Sequence, residues 1–181
     1  MANNLESNPI GINTLVYQIQ KELYDKLIIL WNTEIDGYPI CHSIKRDGEK
    51  AKSIEHYKGF NEYSKNLIHR ERNKLFFTAD YDFEQISIEY FSTSLDLYFI
   101  VNLKECKSLI DSRNSACGEV LKDVGDILKT FDKIGLNTKV VTDLDKIFQG
   151  YTYDFKHDLQ PYFCFKLTLN ITDFTLNDTI C

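Results

Sequence analysis

From residue 85 to 104 the chain reads QISIEYFSTSLDLYFIVNLK. Beginning at Phe91, the odd positions Phe91, Leu95, Leu97, Phe99, Val101 and Leu103 are apolar, and the even positions Ser92, Ser94, Asp96, Asn102 and Lys104 are polar. Tyr98 and Ile100 interrupt the even series. Successive side chains of a strand point to opposite faces, so this period of two predicts a half-buried strand. Upstream, the apolar set is the even one, Ile86, Ile88 and Tyr90. The inward face therefore switches near 91–94, which demands a bulge, a bend or a break between two strands. A second alternating run, at 161–174, sets Phe163, Phe165, Leu167, Leu169 and Ile171 against Tyr162, Cys164, Lys166, Thr168, Asn170 and Thr172. Two long strands that each carry one apolar face are expected to pair antiparallel.

Helical periods stand before and between these strands. Ile12, Leu15, Val16, Ile19, Leu23, Leu27 and Ile28 recur at threes and fours, opposite Gln18, Gln20, Lys21, Glu22, Asp25 and Lys26. This predicts an amphipathic helix that opens near Asn8-Pro9 and closes near Trp31. Val120, Leu121, Val124, Ile127, Leu128 and Phe131 predict a second over 115–131, with caps from 111–114 and with Gly125 as a close-packing point on the sheet. Asp47-Gly48 between strand-like runs at 38–45 and 51–58 predicts a hairpin with a tight turn. The segment 58–72 fits either a short helix or an extended arm. Residues 74–79 read as a strand, 139–142 as a short strand and 143–148 as a helical turn or two, ended by Gly150. The expected architecture is a single α+β domain over 1–181: an antiparallel sheet, two amphipathic helices on one face, and a projecting hairpin within a 36–82 extension.

Composition changes this picture in two respects. The net charge of −6 argues against a protein whose main task is gripping phosphate backbones, while leaving room for a passage in which DNA slides. Twelve Phe and 11 Tyr supply aromatic surface for a core or an interface. The five cysteines are widely spaced without a CxxC pair, which favours inert, reduced thiols over a zinc site or a disulfide framework. The opening MANNLESNP lacks a basic region followed by an apolar core, so no signal peptide is expected, and 27–31 is too short to span a bilayer.

Candidate chemistry is sparse. His42, His56, His69 and His157 lie in four separate segments, and the first two are expected to be surface histidines on the hairpin arms. Asp80 and Asp82 form a lone DxD, and Asp154, His157 and Asp158 form a polar loop, neither at a spacing that selects a metal or an acid–base pair. No nucleophile elbow, HExxH or glycine-rich phosphate loop is present. No catalytic residue, metal ligand or cofactor is therefore expected.

Three stretches together resemble bacteriophage tail-terminator or tail-completion proteins, including connector rings of crAss-like phages. They are the opening helix NPIGINTLVYQIQKELYDKL, the strand SLDLYFIVNL with its following helix, and the close KVVTDLDKIFQGY then LQPYFCFKLTLNITDF. The resemblance implies a structural virion protein made in the host cytoplasm, not an enzyme. It implies a homo-oligomeric ring, hexamer or dodecamer, at the head–tail junction, touching portal, connector and tail proteins but no membrane. DNA would pass through its channel without sequence-specific binding. A ring built head to tail needs two different complementary surfaces. The expected inter-subunit contacts are Asp47, Gly48, Tyr57, Phe60, Tyr63 and Tyr81. The 36–82 segment exceeds what a minimal terminator needs, which leaves terminator and other connector-ring positions open. A cellular adaptor module, and a small enzyme of thioesterase-like or cystatin-like fold, fit the same order of elements.

Overall fold

Helix α1 (Ile12–Trp31) starts after Gly11, at φ 60°, and stops at Asn32, which turns left-handed and donates its N–H to the Ile29 carbonyl. Pro9 stays outside the helix. The apolar stripe buries Val16, Ile19, Leu23, Leu27 and Trp31, as the period of threes and fours requires. Gln20, expected on the wet face, is buried instead, and its amide donates to the Tyr38 carbonyl on the neighbouring strand. The computed structural model describes residues 9–64, 67–68, 72–79, 84–108, 116–135, 139–151 and 161–174.

The strands are β1 (Ile35–Ile44), β2 (Ser53–Glu55), β3 (Tyr57–Gly59), β4 (Glu62–Tyr63), β5 (Asn73–Ala79), β6 (Glu84–Gln85), β7 (Phe91–Asn102), β8 (Lys139–Val141) and β9 (Tyr162–Phe174). Two further helices are α2 (Ala116–Leu128) and α3 (Leu144–Ile147). The main sheet is seven-stranded in the order β2-β1-β5-β7-β9-β8, with β6 paired to β7, while β3 and β4 form a ribbon of their own. The fold is α+β with a mostly antiparallel sheet, as expected. One pair departs: β1 and β5 run parallel. A parallel pair needs a long crossover, and the chain between Ile44 and Asn73 supplies it, with β2 and the ribbon on the way. The hairpin at 38–58 is present as β1–β2 but lies within the sheet and does not project. Its turn is the eight-residue loop 45–52, with Ile44 opposite Ser53, rather than a two-residue turn.

The two long strands pair antiparallel through Leu95–Leu169, Leu97–Leu167, Phe99–Phe165 and Val101–Phe163. These odd positions face α1 and α2 in the larger core. Phe99 and Phe165 stack with ring centroids 4.6 Å apart. Trp31 Nε1 donates to Asp123 Oδ2 at 2.9 Å and so ties α1 to α2. The face switch upstream of Phe91 is a break: β6 ends at Gln85, a turn follows, and β7 begins at Phe91. Tyr98 and Ile100 are explained by a second core on the other face, where Phe76, Tyr98, Ile100 and Cys164 pack with Ile54, Leu67, Ile68, Ile147 and Phe148. Beyond that core the same face is polar: Asp96 accepts from Lys166 Nζ and Thr168 Oγ1, both at 2.7 Å.

The end of the sheet near α1 is fastened by one side chain. Asn73 is buried, donates to Thr33 Oγ1 at 2.9 Å and to the Glu34 carbonyl at 3.0 Å, and accepts from the Asn102 N–H at 2.6 Å. The buried Cys41 and Cys106 thiols are held protonated by desolvation, Cys106 being pushed up to about 12. The caps expected at 111–114, Asp80 and Asp82, His69 and His157, Asp154, Asp158 and Cys181 lie outside the described residues.

Two outcomes follow for stability. Phe165→Ala removes a ring from the core against α1 and α2 and is expected to lower the unfolding free energy in urea by about 3–5 kcal/mol. Asn73→Ala orphans the Asn102 N–H and is expected to cost about 1–3 kcal/mol in the same titration.

Candidate functional site

The β3–β4 ribbon follows β2 directly and is closed at its base by a reciprocal pair. His56 N–H donates to Ser64 Oγ, and Ser64 N–H donates to the His56 carbonyl, each at 2.8 Å. Five rings then cluster where it meets β1. Tyr38 meets His56 at 5.7 Å, His42 meets Tyr63 edge-on at 6.0 Å, and Tyr57 meets Tyr63 at 5.1 Å between centroids. Both histidines are half-buried among these rings rather than free on the surface. Next to them Glu55 is buried, receives Arg46 through bonds of 2.5 and 2.7 Å, and accepts from Ser53 Oγ at 2.7 Å. The Arg46 guanidinium holds the Glu55 carboxyl below its usual range against the opposing effect of burial.

The ribbon tip is unusual in two ways. Phe60 and Asn61 both have positive φ, 51° and 62°, between Gly59 and Glu62. Two consecutive left-handed residues make a type I′ turn, whose preferred sequence is Asn-Gly or Gly-Gly. A phenylalanine is strained there. It is also fully exposed, at 101% of its reference area.

Concave surfaces lie elsewhere among the described residues. A cleft of about 730 Å³ at the α1 end of the sheet is lined by Asn32, Glu34, Asp36, Arg72, Lys104 and Lys107, among others. Arg72 approaches Asp36 at 3.8 Å within it. A groove of about 450 Å³ runs between the end of α2 and the β8 edge, lined by Leu121, Gly125, Leu128, Phe131, Ile134, Val140 and Leu167, with Lys129 and Asp132 at its rim. Gly125, expected to let α2 approach the sheet, is open instead: a Cβ there would meet nothing within 4 Å.

Of the expected contact residues, Tyr57, Phe60 and Tyr63 come together on the ribbon. Asp47 and Gly48 are exposed in the 45–52 loop at one end of the sheet, and Tyr81 lies outside the described residues. Sequence reasoning missed a second exposed set, Ile86, Ile88 and Tyr90, because their alternation imitates a buried strand; they form the turn between β6 and β7. The interposed Ser87 and Glu89, and the face switch just after them, were the available signal. Among the described residues no group of three or more His, Cys, Asp or Glu is placed to hold a metal ion, and no helix is long and apolar enough to cross a membrane.

No protein-family model, curated protein or solved structure matches this chain.

The ring cluster makes the ribbon sensitive to acid. Burial lowers the His56 pKa below its ordinary 6.5, and the neighbouring Lys58 and His42 lower it further. The anion nearest in sequence, Glu55, is already engaged by Arg46. A depressed histidine contributes stability that is complete above the unfolded value and is lost as pH falls below it. Amide protection factors over 57–63 are therefore expected to drop as pH falls through about 6.5. His56→Gln should flatten that dependence; protection that stays constant in the native chain would remove the assignment.

Proposed function

We propose that this chain is a structural subunit of a bacteriophage virion, one copy of a homo-oligomeric ring in the head–tail connector region that surrounds the DNA channel and bridges neighbouring rings. The observation that carries the reading is a set of large apolar side chains exposed on two turns. Ile86, Ile88 and Tyr90 occupy the β6–β7 turn, with Ile88 at 92% exposure, and Phe60 crowns the ribbon. A small-molecule site gathers apolar groups in a concavity. Phe60, Ile86, Ile88 and Tyr90 stand on turns, away from the cleft and groove described above, where a macromolecular partner would cover them. The β6–β7 turn shares its end of the sheet with the 45–52 loop, since β1 runs toward that end and β7 starts from it. A neighbour stacked on this end would meet Asp47, Gly48 and Ile88 together. The acidic balance of the chain suits a channel wall along which DNA slides.

The test is electron microscopy with light scattering on the full chain, alone and mixed with the portal and tail proteins encoded beside it. Closed rings of six or twelve subunits are expected. Ile88→Asp should preserve the ring but abolish its co-sedimentation with a neighbouring ring protein. A chain that remains a monomer with every such partner ends the reading.

A further inference from the structure

The ring reading requires two unlike surfaces on each subunit, and two such surfaces are present. One is Phe60, a strained, fully exposed aromatic at the ribbon tip. The other is the apolar groove formed by Leu121, Leu128, Phe131, Ile134 and Val140. The ribbon emerges beside β2 and the groove lies beside β8, and these strands are the opposite edges of the main sheet. The geometry points to a lateral contact in which Phe60 of one copy inserts into the α2–β8 groove of the next.

Three observations favour a second copy as the occupant. First, a bulky left-handed residue at a turn tip raises the energy of the isolated subunit, and such strain is retained where a partner makes use of it. Asparagine or glycine would suit the turn better, and neither would offer a ring to bury. Second, charges match. Phe60 is flanked on the ribbon by Lys58 and Glu62, and the groove is rimmed by Asp132 and Lys129. Seating the ring between them allows Lys58 to meet Asp132 and Glu62 to meet Lys129, the latter shared with its intrachain partner Asp126 at 2.8 Å. Third, the groove is lined by Gly125, where a Cβ would meet nothing within 4 Å. A glycine inside a helix is unfavourable relative to alanine, and here its absent side chain is what leaves room for a guest. A knob at one edge and a hole at the other make a head-to-tail contact, which builds a ring where its rotation closes.

This inference rests on the ring reading, and sedimentation velocity over a concentration series tests the two separately. Phe60→Gly keeps the groove but loses the knob. Gly125→Leu keeps the knob but fills the groove. Each alone is expected to weaken self-association roughly 30-fold or more, the scale of a hot-spot loss. Urea midpoints should be at or above the native value for both, because glycine suits the turn and leucine suits the helix. Mixed one to one, the two variants should form a heterodimer that grows no further, because one knob and one hole remain complementary. Phe60→Asn serves as a second knobless variant with the same expected result. Native rings that persist unchanged in Phe60→Gly or Gly125→Leu would overturn the contact while leaving the ring intact. A native chain that does not associate with itself, alone or beside its virion partners, would overturn both.

Discussion

Everything else in the molecule is hung on the pairing of β7 with β9. Along this pair Leu95, Leu97, Phe99 and Val101 stand opposite Leu169, Leu167, Phe165 and Phe163, all on the side that receives α1 and α2. Side chains on a strand alternate with a period of two, so a slip of one residue would turn that entire set outward and bring Asp96, Lys166 and Thr168 into the core. The register is therefore fixed by a large difference in buried apolar surface rather than by any turn, since β7 and β9 are separated in sequence by α2, β8 and α3. Helices, edge strands and the second core then attach to a platform already determined.

Much of that platform was legible in the sequence, for physical reasons that are local. The strands β7 and β9 and the helices α1 and α2 each bury one face, and a buried face writes its period into the chain. What was not legible depends on contacts that no local period records. The parallel alignment of β1 with β5 is one case, since either direction satisfies the same alternation. The burial of Gln20 is another: its position on the helix reads as wet, and only the Tyr38 carbonyl opposite it makes it dry. Tyr98 and Ile100 looked like errors in a pattern; they belong to a second pattern, set by α3 and residues 67–68 on the far face. Ile86, Ile88 and Tyr90 misled in the opposite sense, because alternation without a neighbour to cover it is indistinguishable from alternation with one.

The site was legible in part. Tyr57, Phe60 and Tyr63 share the ribbon because they crowd a short, turn-rich stretch, but the strain at Phe60 follows from the φ of a two-residue turn and could not be read from residue types. The groove was invisible for a simpler reason: its walls come from α2, the segment after it, β8 and β9, which no local period brings together. Strain in the ribbon and the unfilled position on α2 each lower the stability of the subunit slightly. Each is the kind of local disagreement with the fold that collects where a protein meets something else.

The parallel β1–β5 pair has one more implication. Ile44 leaves β1 at one end of the sheet and Asn73 enters β5 at the other, so the backbone must travel back the whole length of the sheet between them. That return journey is imposed by topology, whatever its decoration, and the aromatic tip rides on it as freight. Loop-closure entropy grows only with the logarithm of length, roughly 0.6 kcal/mol per doubling. Relatives of this chain could thus lengthen, trim or re-equip the excursion freely, acquiring new neighbours while the seven strands beneath stay as they are.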